Sequence, residues 1–545
     1  MEGRKANHVI SASAVVCFIL IATLAFVFGL HFIWLSQHEI EPTYDTAGHL
    51  TTSIECWYLL KYQPNQLIHG LFSLGTVHPP LLPLCMAGAY MIAGNLHPKT
   101  ALLVNVLFIV ILATVVYALG SQLFGRRAGV LSAMLIVTFP ALFGSMKQHR
   151  HEVLLSTFVI ALTWALWNSQ GFTVRRWSMI AGVIMAGGLF CKITFPVYAL
   201  GALISVFLIT CMQIEVPWKR RLMNVGWFIA TSAIGLSWYI VCMENVLDKL
   251  AFSKRWAQTW GVLLAPAPHP WLRYLCDLPA REIMLIPFCL FLYGMFSLLR
   301  INDRVKGCFL PCAFISSYAL LNLHPFDKTT SHFIPMLPWV ALIAGGGINR
   351  LRSWQWYAIT IPTVLLSFAG LITTTFAPAN WGIGVRTKWI ECYLIRGPHD
   401  SIGMGPPPHM HAERVVRHIV KLQREYSRFI KIGVLPNYPG YETLAIQYHA
   451  VRHWAHNLPN MPVYFDRVMR PPRGSIEPLL AYDALVGKTG IQGSNTAVQW
   501  MEYIKRHKFE FQSHFELYAT WKLGDGSNAL IWRRKQEMHR EFGRR

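Results

Sequence analysis

The sequence is short of charge for its length and shortest of acid, with 27 Asp and Glu against 49 Lys and Arg and only 14% charged residues in 545. An ordinary soluble enzyme carries about a quarter of its residues as charges, so that class is excluded. The 11 cysteines contain no C-x-x-C pair and no other metal-ligand spacing. Most stand inside apolar segments, where they read as small buried hydrophobes. Nucleic-acid motifs and continuous basic patches are also missing, so the formal net charge of +22 does not argue for nucleic acid. There is no internal repeat and no low-complexity tract, which excludes a repeat array.

What the chain does have is apolar sequence, 53% of its residues, with a mean hydropathy of +0.35. That is the composition of a polytopic membrane protein. About eleven spans can be drawn, at 10–34, 98–123, 128–143, 152–169, 177–191, 194–213, 222–242, 281–299, 307–323, 332–348 and 355–376. Several fall short of the ~20 residues that a perpendicular helix needs. The first, preceded by Arg4 and Lys5 and lacking a small-residue cleavage site, reads as a retained signal anchor. Basic clusters test this topology. Arg4/Lys5, Arg126/Arg127, Arg175/Arg176, Lys219/Arg220/Arg221, Arg300/Arg304/Lys306 and Arg350/Arg352 fall on one side, the cytoplasmic side by the positive-inside rule.

The polar groups that packing explains poorly then sort to the opposite, outer face. Asp45 and His49 follow the first span, and His78-Pro79-Pro80 lies in the same loop. Lys147 to Glu152 joins the third and fourth spans, and Lys192 separates the fifth from the sixth. The 243–280 loop and the run His324 to His332, which contains Lys328, face outward too. Asp45 opens a predicted helix whose stripe, Ala47, Leu50, Ile54 and Trp57, with Tyr58 beside it, suits the bilayer surface. Its carboxylate either caps that helix or does chemistry.

The expected fold is mainly α, a helix bundle over residues 1–376, followed by a soluble, extracytoplasmic α/β domain over 377–545. In the latter, strands are predicted at Ile430–Leu435, Val463–Asp466, Tyr482–Gly487 and Asn528–Arg533. Helices are predicted at Glu442–Trp454 and Asn495–Arg506, and Gly403–His409, with its three prolines, reads as a linker. No catalytic constellation is visible there, which points to a recognition or lid role.

Glycosyl transfer from a lipid phosphate needs a carboxylate to orient or deprotonate the acceptor and cations to hold the leaving phosphate. Asp45 is the candidate base; His78, Lys147, Arg150 and Lys192 are candidate phosphate partners, with His49, Glu152, Lys328 and His332 in support. Structural readings stand beside these. Lys147 and Arg150 suit snorkelling interfacial charges, Glu152 suits a helix N-terminus, and His332 suits an interfacial histidine.

The order Tyr44-Asp45-Thr-Ala-Gly-His49, His78-Pro-Pro-Leu-Leu-Pro83 and Leu123-Phe-Gly-Arg-Arg-Ala-Gly129 resembles the GT-C integral-membrane glycosyltransferases of the protein O-mannosyltransferase and lipid A aminoarabinose transferase type. Pro140 to Gly144, Lys147, Glu152, Gly188 to Lys192 and His332 to Pro338 continue the likeness over about residues 9–350. In the C-terminal part, Asp483 to Gly490 and Leu523 to Arg533 resemble the accessory domain of bacterial members. The resemblance implies that Asp45 is the essential first-loop aspartate and that Lys192 contacts the donor phosphate. It places Glu152 where many members have a second aspartate and Lys147 where many have arginine. Thr46, Val77 and His332-Phe333 depart from the usual Glu, Glu and Arg-Tyr, so a metal site built on residue 77 is not supported. The function it implies is transfer of a sugar from a polyprenyl-phosphate donor to a lipid, glycan or protein acceptor on the outer face of the inner membrane. No cofactor is read from the sequence, and ligand spacing does not indicate a divalent metal. Membrane lipids are implied partners and nucleic acid is not. A polytopic transporter or a non-catalytic envelope scaffold is the alternative; against the transporter, polar residues gather at span ends rather than mid-membrane.

Overall fold

The computed structural model describes residues 2–40, 42–74, 78–212, 217–244, 246–248, 251, 269–323, 330–378, 381–388, 391–397, 410–435, 441–468, 476–489 and 495–535. Lys328, Val77, Gly403–His409 and most of the 243–280 loop lie outside the described residues. The chain divides into two compact units, one of 1–38, 68–89 and 101–405 and one of 39–67, 90–100 and 406–545.

The first unit is helical, and each of the eleven apolar segments becomes helix. Six helices among the described residues are long and apolar enough to cross a membrane: Val15–Gln37, Pro98–Phe124, Phe195–Met212, Trp218–Val241, Arg304–Leu323 and Ser353–Phe376. A seventh crossing results if Arg126–Thr138 and Pro140–Met146 are one span. That pair bends by 56° at Phe139, which Pro140 holds out of helical geometry. Leu81–Ala93, Glu152–Asn168, Leu285–Leu299 and Ile334–Ile348 are shorter apolar helices.

Phe18, Ile21, Ile240 and Phe296 stand largely exposed on the bundle, as lipid-facing side chains do. Between helices the contacts are close. A Cβ on Gly347 would overlap the Gly294 backbone, the small-residue packing by which membrane helices approach. The unit also holds a two-stranded hairpin, β1 (Gly382–Arg386) and β2 (Glu391–Arg396), which the sequence reading missed.

In the second unit a five-stranded sheet runs in the order β4-β3-β5-β7-β6, formed by β3 (Ile430–Val434), β4 (Val463–Arg467), β5 (Ala484–Lys488), β6 (Phe515–Lys522) and β7 (Asn528–Arg534). The first three are parallel, β7 runs antiparallel to β5, and β6 closes the edge. Val415, Ile419 and Leu422, from an amphipathic helix over Ala412–Tyr426, and Ala445 and Ile446 pack on one side with Ile432 and Val434. Trp500, Tyr503, Phe511 and Phe515 gather on the other with Leu485 and Trp532. Helices on both sides of a partly parallel sheet make this a three-layer α/β arrangement.

The helix Tyr44–Tyr62 belongs to this unit and packs on the helix Thr443–His453. Its predicted surface stripe is corrected by the structure. Ala47, Leu50, Ile54 and Trp57 are all buried. Trp57 meets His456 edge-on at 5.4 Å, and the Tyr62 hydroxyl lies 2.8 Å from His456 Nδ1. Amphipathic periodicity marks a buried face without saying whether lipid or protein covers it.

Candidate active site

In the first unit, Asn105 donates its amide to the carbonyls of Met146 (3.2 Å) and Gln148 (3.0 Å). A buried asparagine in an apolar helix thus pins the segment that runs from Lys147 to Glu152. Lys147 is buried, with Nζ 4.5 Å from the Phe143 ring centre, 5.2 Å from that of Trp34 and 3.4 Å from Thr375 Oγ1. Burial pushes its ammonium down to about 7. Arg150 is exposed and adds positive field at Glu152. His151 is buried, its ring centre 5.1 Å from that of His78, which the buried Pro79-Pro80 pair follows.

Lys192 stands where the helix Arg175–Cys191 ends, in extended backbone. Just beyond this end the Phe195 ring lies against Gly188, where a Cβ would overlap it. The Tyr239 hydroxyl donates to Leu189 O at 3.1 Å and lies 3.4 Å from Lys192 O, fixing the turn. Lys192 Nζ reaches Glu152 Oε1 at 3.0 Å, with the two side chains 12% and 4% exposed. Glu152 Oε2 is buried and has no hydrogen-bond partner among the described residues. The carbonyl of His332 accepts the Tyr198 hydroxyl at 2.5 Å, so this residue contributes backbone as well as a half-buried ring.

Asp45 and His49 sit in the second unit. His49 is buried, whereas Asp45 is exposed and makes no hydrogen bond or ion pair among the described residues. The helix start does not depend on it. Thr46 Oγ1 accepts the Thr43 N–H at 3.0 Å and donates to Thr43 O at 2.6 Å, while Tyr44 N–H donates to Glu442 Oε1 at 2.5 Å. Thr43 and Thr46 therefore do the capping that the sequence also allowed Asp45. Tyr44 holds φ at +42°, a left-handed conformation that a bulky residue rarely adopts, directly before the free carboxylate.

The structure thus gathers His78, Lys147, Arg150, Glu152, Lys192 and His332 into one unit, with Asp45 and His49 in the other. Sequence reasoning did not single out His151, Asn105, Tyr198, Tyr239, Trp34 or Thr375. Asn105 carried a signal, a polar side chain in an apolar span. The other five look unremarkable until the fold places them. Among the described residues no three His, Cys, Asp or Glu side chains converge so as to hold a metal ion.

Residues 77–239 match the family described as dolichyl-phosphate-mannose-protein mannosyltransferase. No curated protein matches the chain. Among solved structures, ArnT from Cupriavidus metallidurans in the apo state is similar with a TM-score of 0.60 at 10% identity, over 96% of this chain and 98% of that one. Archaeal oligosaccharyltransferase AglB from Archaeoglobus fulgidus, in complex with an inhibitory peptide and a dolichol-phosphate, is similar with a TM-score of 0.50 at 11% identity, over 81% of this chain and 64% of that one.

Proposed function

We propose that this chain is an integral-membrane glycosyltransferase of the PMT-like GT-C superfamily and moves a sugar from a polyprenyl-phosphate donor to a lipid, glycan or protein acceptor on the outer face of the inner membrane. The observation that carries the reading is the buried Lys192–Glu152 pair, inside the matched segment and beside a run of basic and histidine side chains. A lysine balanced by one carboxylate oxygen, in a setting richer in cations than in acids, suits a dianionic phosphate. The dolichol-phosphate bound by the AglB structure supports the same class of ligand here.

In the proposed reaction the acceptor attacks the anomeric carbon, the bond from that carbon to phosphate oxygen breaks, and the electron pair leaves with the phosphate. Lys192, Lys147, Arg150 and His78 offset the charge that grows on the departing phosphate. Asp45 orients the acceptor and takes its proton. Glu152 holds Lys192 in place between turnovers. The six basic clusters support a cytoplasmic N-terminus and a C-terminal domain outside.

The test is transfer from a polyprenyl-phosphate sugar by purified wild type and by Lys192→Ala. A steep loss with unaltered membrane insertion is expected. Near-normal turnover by the variant overturns the phosphate assignment. Mass spectrometry of envelope lipids and glycans from a deletion strain identifies the sugar.

A further inference from the structure

The second unit carries a cavity of about 600 Å³ that the glycosyl-transfer reading does not use. Its floor is apolar and almost wholly buried, made of Ile504, Phe511, Phe515 and Trp532. Phe511 stacks on Phe515 at 5.0 Å and meets Trp532 edge-on at 5.5 Å. Three exposed lysines rim it: Lys505, Lys508 and Lys535. Lys535 Nζ is steered by Gln512, whose carbonyl it reaches at 2.7 Å. The one acid of the lining, Glu516, is engaged by Arg533. The mouth is therefore cationic and the base aromatic.

Beside this mouth Phe509 is 91% exposed, between Lys508 and the cavity-lining helix residues Phe511 and Gln512. An aromatic ring so fully in water has no stabilising role within the unit, since burial is what stabilises an aromatic side chain. Lys505, Arg506 and Lys508 precede this ring, and Glu510, which follows it, accepts the Ile476 N–H at 3.4 Å; a basic run beside an exposed aromatic is the pattern by which peripheral segments hold an anionic bilayer surface. The same chain carries helices long enough to cross a membrane. Gln37 ends the first apolar helix, and the second unit begins at Glu39.

We propose that this cavity binds the headgroup of an anionic phospholipid, with Lys505, Lys508 and Lys535 on the phosphate and Phe509 among the acyl chains. The site recognises bulk anionic lipid and is separate from the donor chemistry. A soluble phosphate or phosphorylated saccharide would use the lysines but leave Phe509 without a role.

The experiment replaces Phe509 with the photo-crosslinker p-benzoylphenylalanine in the full-length protein, reconstituted in nanodiscs. The readout is lipid attached to the peptide around position 509, identified by mass spectrometry. Crosslinking to phosphatidylglycerol is expected, falling roughly tenfold or more when Lys505, Lys508 and Lys535 are changed to Gln, because each basic group near an anionic surface strengthens binding several-fold. All three lysines and Phe509 are exposed, so the variants keep their fold. Absence of a lipid adduct overturns the proposal. So does an equal adduct in pure phosphatidylcholine, which means apolar insertion without headgroup recognition. Loss of the adduct with millimolar inorganic phosphate, at constant salt, assigns the cavity to a soluble phosphate and overturns the lipid reading.

Discussion

Each unit buries a lysine against a carboxylate, and the two pairs are finished differently. In the second unit Lys488 Nζ lies 2.6 Å from Asp525 Oδ2, the side chains 0% and 2% exposed. Asp525 Oδ1 also accepts the N–H of Ser527 at 3.0 Å and its hydroxyl at 2.5 Å. Both oxygens of this acid are engaged, Oδ1 by the Ser527 donors and Oδ2 by the ion pair, and the acid ties the β6–β7 turn to the end of β5. In the first unit Lys192 and Glu152 are 3.0 Å apart, and Glu152 keeps one buried oxygen unpartnered among the described residues. A closed pair of this kind holds a turn. An incomplete one can take another ligand, at the cost of leaving a polar atom unmet meanwhile. Asp45, with no side-chain partner among the described residues, lies at the far end of the same series.

Asp45→Asn gives the largest expected effect. Asparagine keeps the shape and cannot accept a proton, so transfer drops by about 10² to 10⁴-fold, while thermal stability holds because Thr43 and Thr46 cap the helix. Transfer within a few-fold of wild type would remove Asp45 from the reaction.

Asp525→Ala works in the opposite direction. It strands a buried ammonium, and breaking a buried pair costs ~3–5 kcal/mol of stability. A clear drop in Tm is expected, with transfer per folded molecule preserved. Burial pushes the Asp525 carboxyl up, but the Lys488 ammonium and the Ser527 donors outweigh it and hold the group below the usual carboxylate range. Its stabilisation is therefore complete above the unfolded pKa of ~3.9 and lost as pH falls through the lower, folded value. Acid unfolding followed by circular dichroism should begin earlier in the variant.

Lys192→Ala sharpens the contrast between the pairs. Transfer falls by about 10² to 10³-fold, as when one preorganised donor to a developing oxyanion is removed. Stability falls less than in Asp525→Ala, because Lys192 is 12% exposed where Lys488 is 0%, so water reaches the place that the lysine vacates beside Glu152. Equal Tm losses in the two variants would mean that both pairs are structural.

The smallest effect concerns Lys147. Its ammonium titrates at about 7, so donor affinity weakens as pH rises through 7 and the cation is lost, by no more than about tenfold per pH unit. Stability moves the other way. Between about 7 and the unfolded value of ~10.4 the unfolded lysine holds a proton that the folded one lacks, so the fold gains stability with rising pH. Lys147→Arg, which stays charged, should flatten the pH profile of donor binding measured by calorimetry.

Much of this could be read from the sequence. All eleven apolar segments are helices, and the predicted strands at 430, 463, 482 and 528 appear within two residues of their bounds. Those elements have single, strong signals: long apolar runs, or β-branched runs beside turn residues. β6 was missed because Phe515–Lys522 alternates weakly and lies at a sheet edge, with only Phe515 of its eight residues fully buried. The Ala412–Tyr426 helix, charged on one face and apolar on the other, was passed over beside a proline-rich stretch. The site was legible by residue type, since cations and acids between apolar segments need a reason. Their pairing was not. That Lys192 meets Glu152 depends on two helix breaks, one at Phe139 set by Pro140 and one at Lys192, where the Tyr239 hydroxyl holds the turn through contacts distant in sequence.

The composition of the second unit bears on how the protein is made. The helix that carries Asp45 leaves the ribosome early, yet the group that takes its Tyr44 N–H, Glu442, follows 398 residues later. At about 5–20 residues per second, that partner arrives roughly 20–80 s after the helix has emerged. During that interval Ala47, Leu50, Ile54 and Trp57, buried in the finished protein, have nothing of the sheet domain to cover them. The helix must wait in the company of lipid or a chaperone, and an unfinished chain exposes an apolar stripe that quality control can recognise. The carboxylate proposed for catalysis is thus held in its final place only after Glu442 and the helix behind it have been synthesised, so any chemistry it performs waits on the sheet domain.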